Sequence, residues 1–212
     1  MRRTLVLMRH AQTPWNIEGR VQGHCDVPLD DAGRAQATRI AGVLARAHAV
    51  ALWTSDLARA RETAEIVAGA CGLRVRLDKR LRETDVGERV GLTAAEYAAR
   101  FPAEYASREA ERPLLVPGEE SAATVAERMA AVLRECLGTL ADGQTGLVIA
   151  HGGCLREGIG ELLGWQGGTA RHRLMGMQNC SWARIDDHDG RLRLVSYNVG
   201  AAPDFPTPPP GR

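Results

Sequence analysis

The sequence predicts an α/β protein, a three-layer α/β/α sandwich with a mostly parallel central sheet. Short apolar runs alternate with amphipathic helical segments along most of the chain, and this alternation is typical of βα units that place helices on both faces of a sheet. The length of 212 residues suits a single domain, which we expect at residues 1–202. The proline-rich end, 203–212, is expected to be disordered.

The first half of the chain supplies three predicted strands and two predicted helices. Residues 4–8 form an apolar run that ends directly at Arg9-His10, and residues 31–46 follow with helical spacing behind Asp30 or Asp31 as the cap. Residues 50–53 predict a second strand, and residues 57–71 predict a helix that ends at Gly72. A third short strand is expected at 73–77.

The second half continues the pattern and then changes it. Helices are predicted at 93–101 and 121–140, and a buried strand at 146–150 leads into His151-Gly152 and a helix that ends at Leu163. Residues 181–186 and 191–198 flank the polar segment 187–190 and predict a β-hairpin. The same Asp- and His-rich segment could form a metal site, but polar turn residues are what a hairpin needs there, so the turn is favoured.

Composition excludes several classes of function. The 27 basic and 26 acidic residues leave a net charge of +1. The overall electrostatic field of the protein therefore neither attracts nor repels nucleic acid strongly. No apolar run reaches the roughly 18 residues of a membrane span, and the first apolar stretch is too short for a signal peptide. The five cysteines form no CxxC pair, which favours a reducing cytoplasm over a disulfide framework.

Two predicted strands are each followed directly by a histidine: His10 follows the first strand, and His151 follows the strand at 146–150. Ligands of open α/β sheets bind at these strand ends, so the two histidines are expected to share one site. Arg9 and Arg59 add planar donor forks that suit a phosphate or a carboxylate. Arg61 is the alternative to Arg59, as a solvated charge on the same helix.

Residues 7–16, LMRHAQTPWN, resemble the RHGxTxxN signature of the histidine phosphatase superfamily, in its phosphoglycerate-mutase-like branch. The resemblance continues in the family's order through five further blocks: 22–23, 28–33, 54–64, 81–93 and 150–153. Residues 176–183 and 195–198 are similar to the C-terminal part of actinobacterial glucosyl-3-phosphoglycerate phosphatases. In this family substrate choice changes with cap-like insertions, and here the corresponding segment is 93–120.

The resemblance implies a metal-independent mechanism without a cofactor, in which His10 attacks phosphorus and forms a phosphohistidine. Glu83 is the implied general acid, for which a surface glutamate is the plain alternative and Glu88 the weaker candidate. The implied ligands of the phosphoryl group and the substrate are Arg9, Asn16, Gln22, Gly23, Arg59, His151 and Gly152. We expect His151 to be protonated in this role.

The sequence also departs from the family pattern. Ala11 replaces the usual glycine, which is tolerated if this residue has a negative φ angle. Arg89-Val90 stands where many relatives have Trp-Glu, and Glu119 stands where a glycine is usual. None of these departures is expected to touch the phosphate site, so they bear on substrate recognition.

The short interval between Glu83 and His151 favours hydrolysis, because phosphoglycerate mutases carry a longer insertion there with basic residues. Gln22, where mutases usually have threonine, favours the same outcome. The expected substrate is a small phosphorylated metabolite, such as a sugar or glycerate phosphate. Phosphoglycerate-mutase-type transfer is the alternative, and a non-catalytic binding module is the third possibility.

We expect no nucleic-acid or membrane partner, and the sequence leaves open whether the protein is a homodimer. Cys154 is interpreted as a small residue on a helix face, which is favoured over a role as a redox switch.

Overall fold

The computed structural model describes residues 1–108, 113–165 and 169–200, and within them the strands form one six-stranded sheet. The strands are β1 (Arg2–Arg9), β2 (Ala51–Thr54), β3 (Val75–Leu77), β4 (Thr145–Ala150), β5 (Trp182–His188) and β6 (Arg191–Val199). Their spatial order is β3-β2-β4-β1-β5-β6. The first four in this order are parallel, and β5 and β6 are antiparallel to their neighbours. The predicted mostly parallel sheet is confirmed.

The described residues form seven α-helices: α1 (Pro14–Ile17), α2 (Asp31–Leu44), α3 (Ala58–Cys71), α4 (Ala94–Arg100), α5 (Pro102–Ser107), α6 (Ala122–Gly138) and α7 (Gly152–Leu162). None of them is long and apolar enough to cross a lipid bilayer. The tail expected to be disordered, 203–212, lies outside the described residues, as do residues 109–112 of the expected cap-like insertion.

Apolar side chains cover both faces of the central strands, which explains the continuous apolar runs in the sequence. Successive side chains of a strand point to opposite faces. Leu5 and Leu7 of β1 accordingly join the core formed with α6 and α7, whereas Val6 and Met8 join the core formed with α2 and α3. The two cores and the sheet between them make the predicted three layers.

The ends of the helices follow local capping chemistry. The Asp30 carboxylate accepts a hydrogen bond from the Gly33 N–H at 2.6 Å, and the Ser121 hydroxyl accepts one from the Thr124 N–H at 3.1 Å. Gly72 ends α3 with a φ of +66°, a conformation that suits glycine. Asp30 and Gly72 are the caps that the sequence predicts.

Two local features differ from the sequence prediction. The helix expected at 93–101 is followed by a second one, because Pro102 has no N–H to continue α4 and instead begins α5. The short helix α1 was not predicted. It begins at Pro14 behind Thr13, whose hydroxyl accepts the Asn16 N–H at 3.3 Å.

The predicted hairpin is confirmed as β5 and β6. Asp189 and Gly190 turn the chain with φ angles of +52° and +83°, the left-handed pair of a tight hairpin turn. The Asp187 carboxylate accepts the Gly190 N–H at 2.8 Å and the Arg3 Nε–H at 3.0 Å. The polar residues of this segment therefore build the turn.

Candidate active site

The carboxyl ends of the two central strands bring His10 and His151 together. β1 and β4 pair in parallel register up to Arg9 and Ala150, and the His10 N–H donates to the Ala150 carbonyl at 2.9 Å. The next residue on each strand is a histidine, and the two ring centroids are 5.2 Å apart. Both rings are almost fully buried. The convergence predicted from the strand ends is confirmed.

The ring of His10 is oriented by its own backbone. Nδ1 lies 2.7 Å from the carbonyl oxygen of Ala11, so Nδ1 carries the proton and donates, and Nε2 keeps its lone pair. Burial lowers the pKa of His10 well below its usual value, and the charges of Arg9 and Arg59 act in the same direction. A neutral imidazole with a fixed tautomer is the state that a nucleophile requires.

Burial and the nearby charge of Arg59 lower the pKa of His151 well below its usual value, which favours a neutral ring in the unliganded protein. The protonated state expected of His151 concerns the protein with a phosphoryl group bound, and it stays a prediction. Among the described residues neither of its ring nitrogens has a hydrogen-bond partner, although both are buried. A buried polar atom without a partner is costly, and an oxyanion beside His10 would supply that partner.

Two arginines flank the histidines and are held by main-chain carbonyls. Arg59, only 1% exposed, donates from Nη1 to Cys25 O and from Nη2 to Gly23 O, both at 2.8 Å. Arg9 is half-buried and donates from Nη1 to Met177 O at 2.6 Å. The Nε atom of each arginine is buried and has no hydrogen-bond partner in the described part of the chain. Burial lowers the pKa of both guanidinium groups, and the carboxylate of Glu83 opposes that effect.

Asn16 is fixed by the turn that begins α1 and by a residue from the other end of the chain. Its Oδ1 accepts the Thr13 N–H at 3.0 Å and the Asn179 Nδ2–H at 3.2 Å. Asn179 also donates to the carbonyl of His10 at 3.0 Å. With its oxygen engaged, Asn16 has its amide N–H groups left to offer a ligand. Asn179 was not among the site residues predicted from the sequence.

The carboxylate of Glu83 is held by three main-chain donors. It accepts the N–H groups of Thr84 at 2.9 Å, Gly153 at 3.0 Å and Cys154 at 2.8 Å. The latter two belong to the first turn of α7, where unpaired N–H groups favour an anion. A Cβ atom at Gly153 would lie 2.7 Å from Glu83 Oε1, so this approach depends on glycine.

A side chain from α6 holds the loop that carries Glu83. Arg128 donates to the carbonyls of Arg80, Arg82 and Glu83 at 2.8, 2.8 and 2.9 Å. It also forms a two-point ion pair with Glu120, with N–O distances of 3.0 and 2.8 Å. Five charge-assisted contacts on one guanidinium fix the main chain on the C-terminal side of β3.

The chamber in front of His10 has a volume of about 300 Å³ and contains most of the residues predicted from the sequence. Its lining includes Arg9, His10, Asn16, Gln22, Gly23, Arg59, Glu83 and Gly153. Gln22 is buried there, and its Oε1 has no partner among the residues that the structure describes. Gly23 has a φ of +51°, and Gly152 begins α7 against the side chain of Arg9. His151 is not part of this lining but lies next to His10, with 5.2 Å between the two ring centroids.

The sequence alternatives lie elsewhere. Arg61 is exposed, and Glu88 pairs with Arg100 at 2.8 Å. Cys154 is fully buried on α7, and burial raises the pKa of its thiol. Both properties are typical of a packing residue and not of a reactive thiol. Ala11 has a negative φ angle, which meets the condition for replacing glycine.

Two of the departures from the family pattern lie together at the edge of the chamber. Arg89 is part of the lining of the chamber that contains His10. It forms an ion pair with Glu119 and stacks over the ring of Tyr97 at 5.0 Å. That these departures bear on substrate recognition and not on the phosphate site stays a prediction.

Among residues 1–108, 113–165 and 169–200, no group of three or more His, Cys, Asp or Glu side chains is arranged to hold a metal ion. The family model of the histidine phosphatase superfamily (branch 1) matches residues 5–200. The chain belongs to this superfamily. The match spans the site from its first histidine to Asn179, and the predicted resemblance is confirmed.

The relatives include one protein that is named a phosphatase and one that is named a phosphoglycerate mutase. A mycobacterial glucosyl-3-phosphoglycerate phosphatase, solved with VO3, is 36% identical with a TM-score of 0.86, covering 93% of this chain and 100% of that one. YhfR of Bacillus stearothermophilus is 28% identical with a TM-score of 0.85, covering 94% and 98%. A probable phosphoglycerate mutase, GpmB, from Salmonella choleraesuis is 36% identical over 207 residues, covering 93% and 91%.

Proposed function

We propose that this histidine phosphatase is a metal-independent phosphomonoester hydrolase that acts on a small phosphorylated metabolite, a sugar or glycerate phosphate, through a phosphohistidine at His10. One observation supports the proposal above the others: the tautomer-fixed imidazole of His10 and the side chains of Arg9, Asn16 and Arg59 line the same chamber, with His151 next to His10. In this assignment Arg9, Asn16, Arg59 and His151 bind the equatorial oxygens, and we call these residues with His10 the phosphate end of the chamber.

Catalysis then divides into two transfers. Nε2 of His10 forms a bond to phosphorus as the bond to the ester oxygen breaks, and the leaving oxygen takes a proton from Glu83. Water next attacks the phosphohistidine, gives its proton to the Glu83 carboxylate and releases orthophosphate and neutral His10. The phosphate dianion also supplies the negative charge that favours protonation of His151, which is neutral without it.

Glu83 fits this role because of its place in the chamber. It faces His10 across the cavity, and its main-chain donors hold both carboxylate oxygens. The leaving group must then lie on the side of Glu83, next to Gly153 and Thr84. We call the part of the chamber that is lined by Glu83, Thr84 and Gly153, together with the space next to it, the leaving-group end.

A rapid-quench experiment with a ³²P-labelled phosphate ester tests the mechanism. We expect a protein-bound label that is stable in alkali and lost in acid, as a phosphoramidate is, and that maps to His10. His10→Ala should carry no label and lose essentially all turnover of p-nitrophenyl phosphate, and EDTA should leave the parent enzyme active. Loss of activity with EDTA that is restored by added metal would contradict the proposal.

Phosphoryl transfer of the mutase type is a second candidate, because relatives at 36% identity carry the name phosphoglycerate mutase. Both reactions share the phosphohistidine and differ in the group that accepts phosphate. Incubation with 3-phosphoglycerate and 2,3-bisphosphoglycerate separates them. Hydrolysis releases orthophosphate, whereas a mutase would form 2-phosphoglycerate faster than orthophosphate appears.

A further inference from the structure

Two further cavities lie next to the chamber on the side of Glu83. The first, of about 260 Å³, is lined by Arg9, Glu83, Gly153 and Arg156 among others. The second, of about 120 Å³, again includes Gly153 and Arg156 and adds Glu157. Because Gly153 lines the chamber and both cavities, the Arg156–Glu157 pair lies in the wall of the space adjacent to Glu83.

The position of this pair follows from helical spacing. Arg156 and Glu157 are three and four residues after Gly153, so they lie on the same face of α7, one turn further along. Gly153 contacts the carboxylate of Glu83. A ligand whose ester oxygen meets Glu83 therefore extends over Gly153 toward Arg156 and Glu157.

Glu157 is a buried carboxylate whose hydrogen bonds are incomplete. It is 5% exposed, and its Oε1 lies 3.5 Å from Nε of Arg156. Within residues 1–108, 113–165 and 169–200, its Oε2 has no hydrogen-bond partner, and neither has Nε of Arg156. Burial raises the pKa of Glu157, with the positive charge of Arg156 in opposition. An orphaned acceptor beside an orphaned donor, in the wall of a cavity, is costly unless a ligand completes both.

The chemistry of the pair selects a neutral hydroxylated group. One acceptor and one donor side by side match two neighbouring hydroxyls, each of which can donate and accept. Arg156 and Glu157 carry opposite charges, and the same lining adds Arg171 with Glu119 and Glu120, so the cavity does not carry an excess of positive charge for an anion. Pro113 and Leu115 line the same cavity and offer apolar surface to the C–H face of a sugar.

We propose that Arg156 and Glu157 form a subsite for the hydroxyl groups of the substrate's alcohol portion, and that this portion is a sugar or another polyol. The proposal rests on the proposed function, because the role of Glu83 places the leaving group at this end. Arg156 and Glu157 would then recognise the leaving group, and they are distinct from the residues that bind the phosphoryl group.

The test compares kcat/KM for pentose and hexose monophosphates with kcat/KM for p-nitrophenyl phosphate, in the parent enzyme, Glu157→Gln and the double variant Arg156→Met/Glu157→Leu. We expect the parent to prefer at least one sugar phosphate. Glu157→Gln should lower kcat/KM for that substrate about 10- to 100-fold and leave the aryl phosphate within about twofold. The apolar double variant removes both orphaned groups, so it should fold and lose the preference altogether. Glu161→Gln, one turn further along α7, is the matched control and should behave as the parent.

Each other outcome has a definite meaning. An equal loss with both kinds of substrate would show a structural role and overturn the subsite, as would no loss with either or a parent that prefers the aryl ester. A parent without any phosphatase activity would contradict the proposed function instead. In that case calorimetry of the same sugar phosphates with His10→Ala, compared with His10→Ala/Glu157→Gln and with orthophosphate as the reference, still tests the subsite. Binding that Glu157→Gln does not weaken would overturn it.

Discussion

The phosphate end and the leaving-group end of the chamber are built by different means. At the phosphate end, His10 and His151 directly follow two hydrogen-bonded strands, and Arg59 is held by two main-chain carbonyls. At the leaving-group end, side chains hold the loops: Arg128 clamps the segment that carries Glu83, and Arg89 pairs with Glu119. The sheet thus positions the two histidines, while ion pairs shape the loops at the end where the proposed mechanism places the leaving group.

The largest effect is expected at the phosphate end, from Arg59→Met. Arg59 is buried and its fork cannot be replaced by water, so its loss should lower kcat/KM about 10³-fold for every phosphomonoester, whatever the leaving group. Steady-state kinetics with one aryl and one alkyl phosphate measure this. Arg61→Met, two residues along the same helix and exposed, is the control. A loss confined to one substrate would contradict the assignment of Arg59 to the phosphoryl group.

A different pattern is expected from Arg128→Met, which acts through Glu83. Without the clamp on the carbonyls of residues 80, 82 and 83, Glu83 is less well placed to protonate a poor leaving group. The kcat for alkyl phosphates should fall about 10- to 100-fold, while p-nitrophenyl phosphate, whose leaving group needs little protonation, should fall far less. KM should change little.

Two variants keep this prediction specific. Arg134→Met, on the exposed face of the same helix, should leave both substrates unchanged. Arg128→Lys retains the charge but not the fork, so it should recover only part of the lost rate. Equal losses with alkyl and aryl phosphates would mean that Arg128 supports the fold rather than the placement of the acid.

A smaller effect with the same selectivity is expected from Gly153→Ala. The new methyl group would lie 2.7 Å from Glu83 Oε1, so the carboxylate must shift from its main-chain donors, and kcat for alkyl phosphates should fall about tenfold. Gly69→Ala in α3, where nothing lies within 4 Å of the added Cβ, is the control. An unchanged ratio of alkyl to aryl rates would show that catalysis tolerates the displacement.

The same contrast explains which features the sequence predicts. His10 and His151 follow apolar runs that end directly before them, so local pattern is enough to place each histidine at the end of a strand. Arg128 is 45 residues from Glu83 in the chain, and Asn179 is 169 residues from His10. Such contacts depend on how distant segments pack. Glu157 was likewise not predicted, because the burial of a charged residue on a helix is a tertiary property that helical periodicity does not reveal.

The last prediction concerns stability at the phosphate end. The folded-state pKa values of His10 and His151 lie well below the usual 6.5, whereas the unfolded chain binds protons normally. As the pH falls below about 6.5, the unfolded state gains protons that the folded state does not, and the free energy of unfolding decreases by up to about 1.4 kcal/mol per pH unit for each histidine. The loss stops once the pH reaches the lower, folded-state pKa values.

Urea unfolding between pH 7.5 and 5.0 measures this slope above the range in which carboxylates titrate. His151→Gln should remove about half of it. Saturating orthovanadate should reduce the slope in the parent enzyme, because an anion held between the two histidines favours their protonated forms and raises both folded-state pKa values. A slope that neither the substitution nor vanadate changes would mean that protons taken up elsewhere destabilise the fold, and that the two rings are not the neutral pair from which phosphoryl transfer begins.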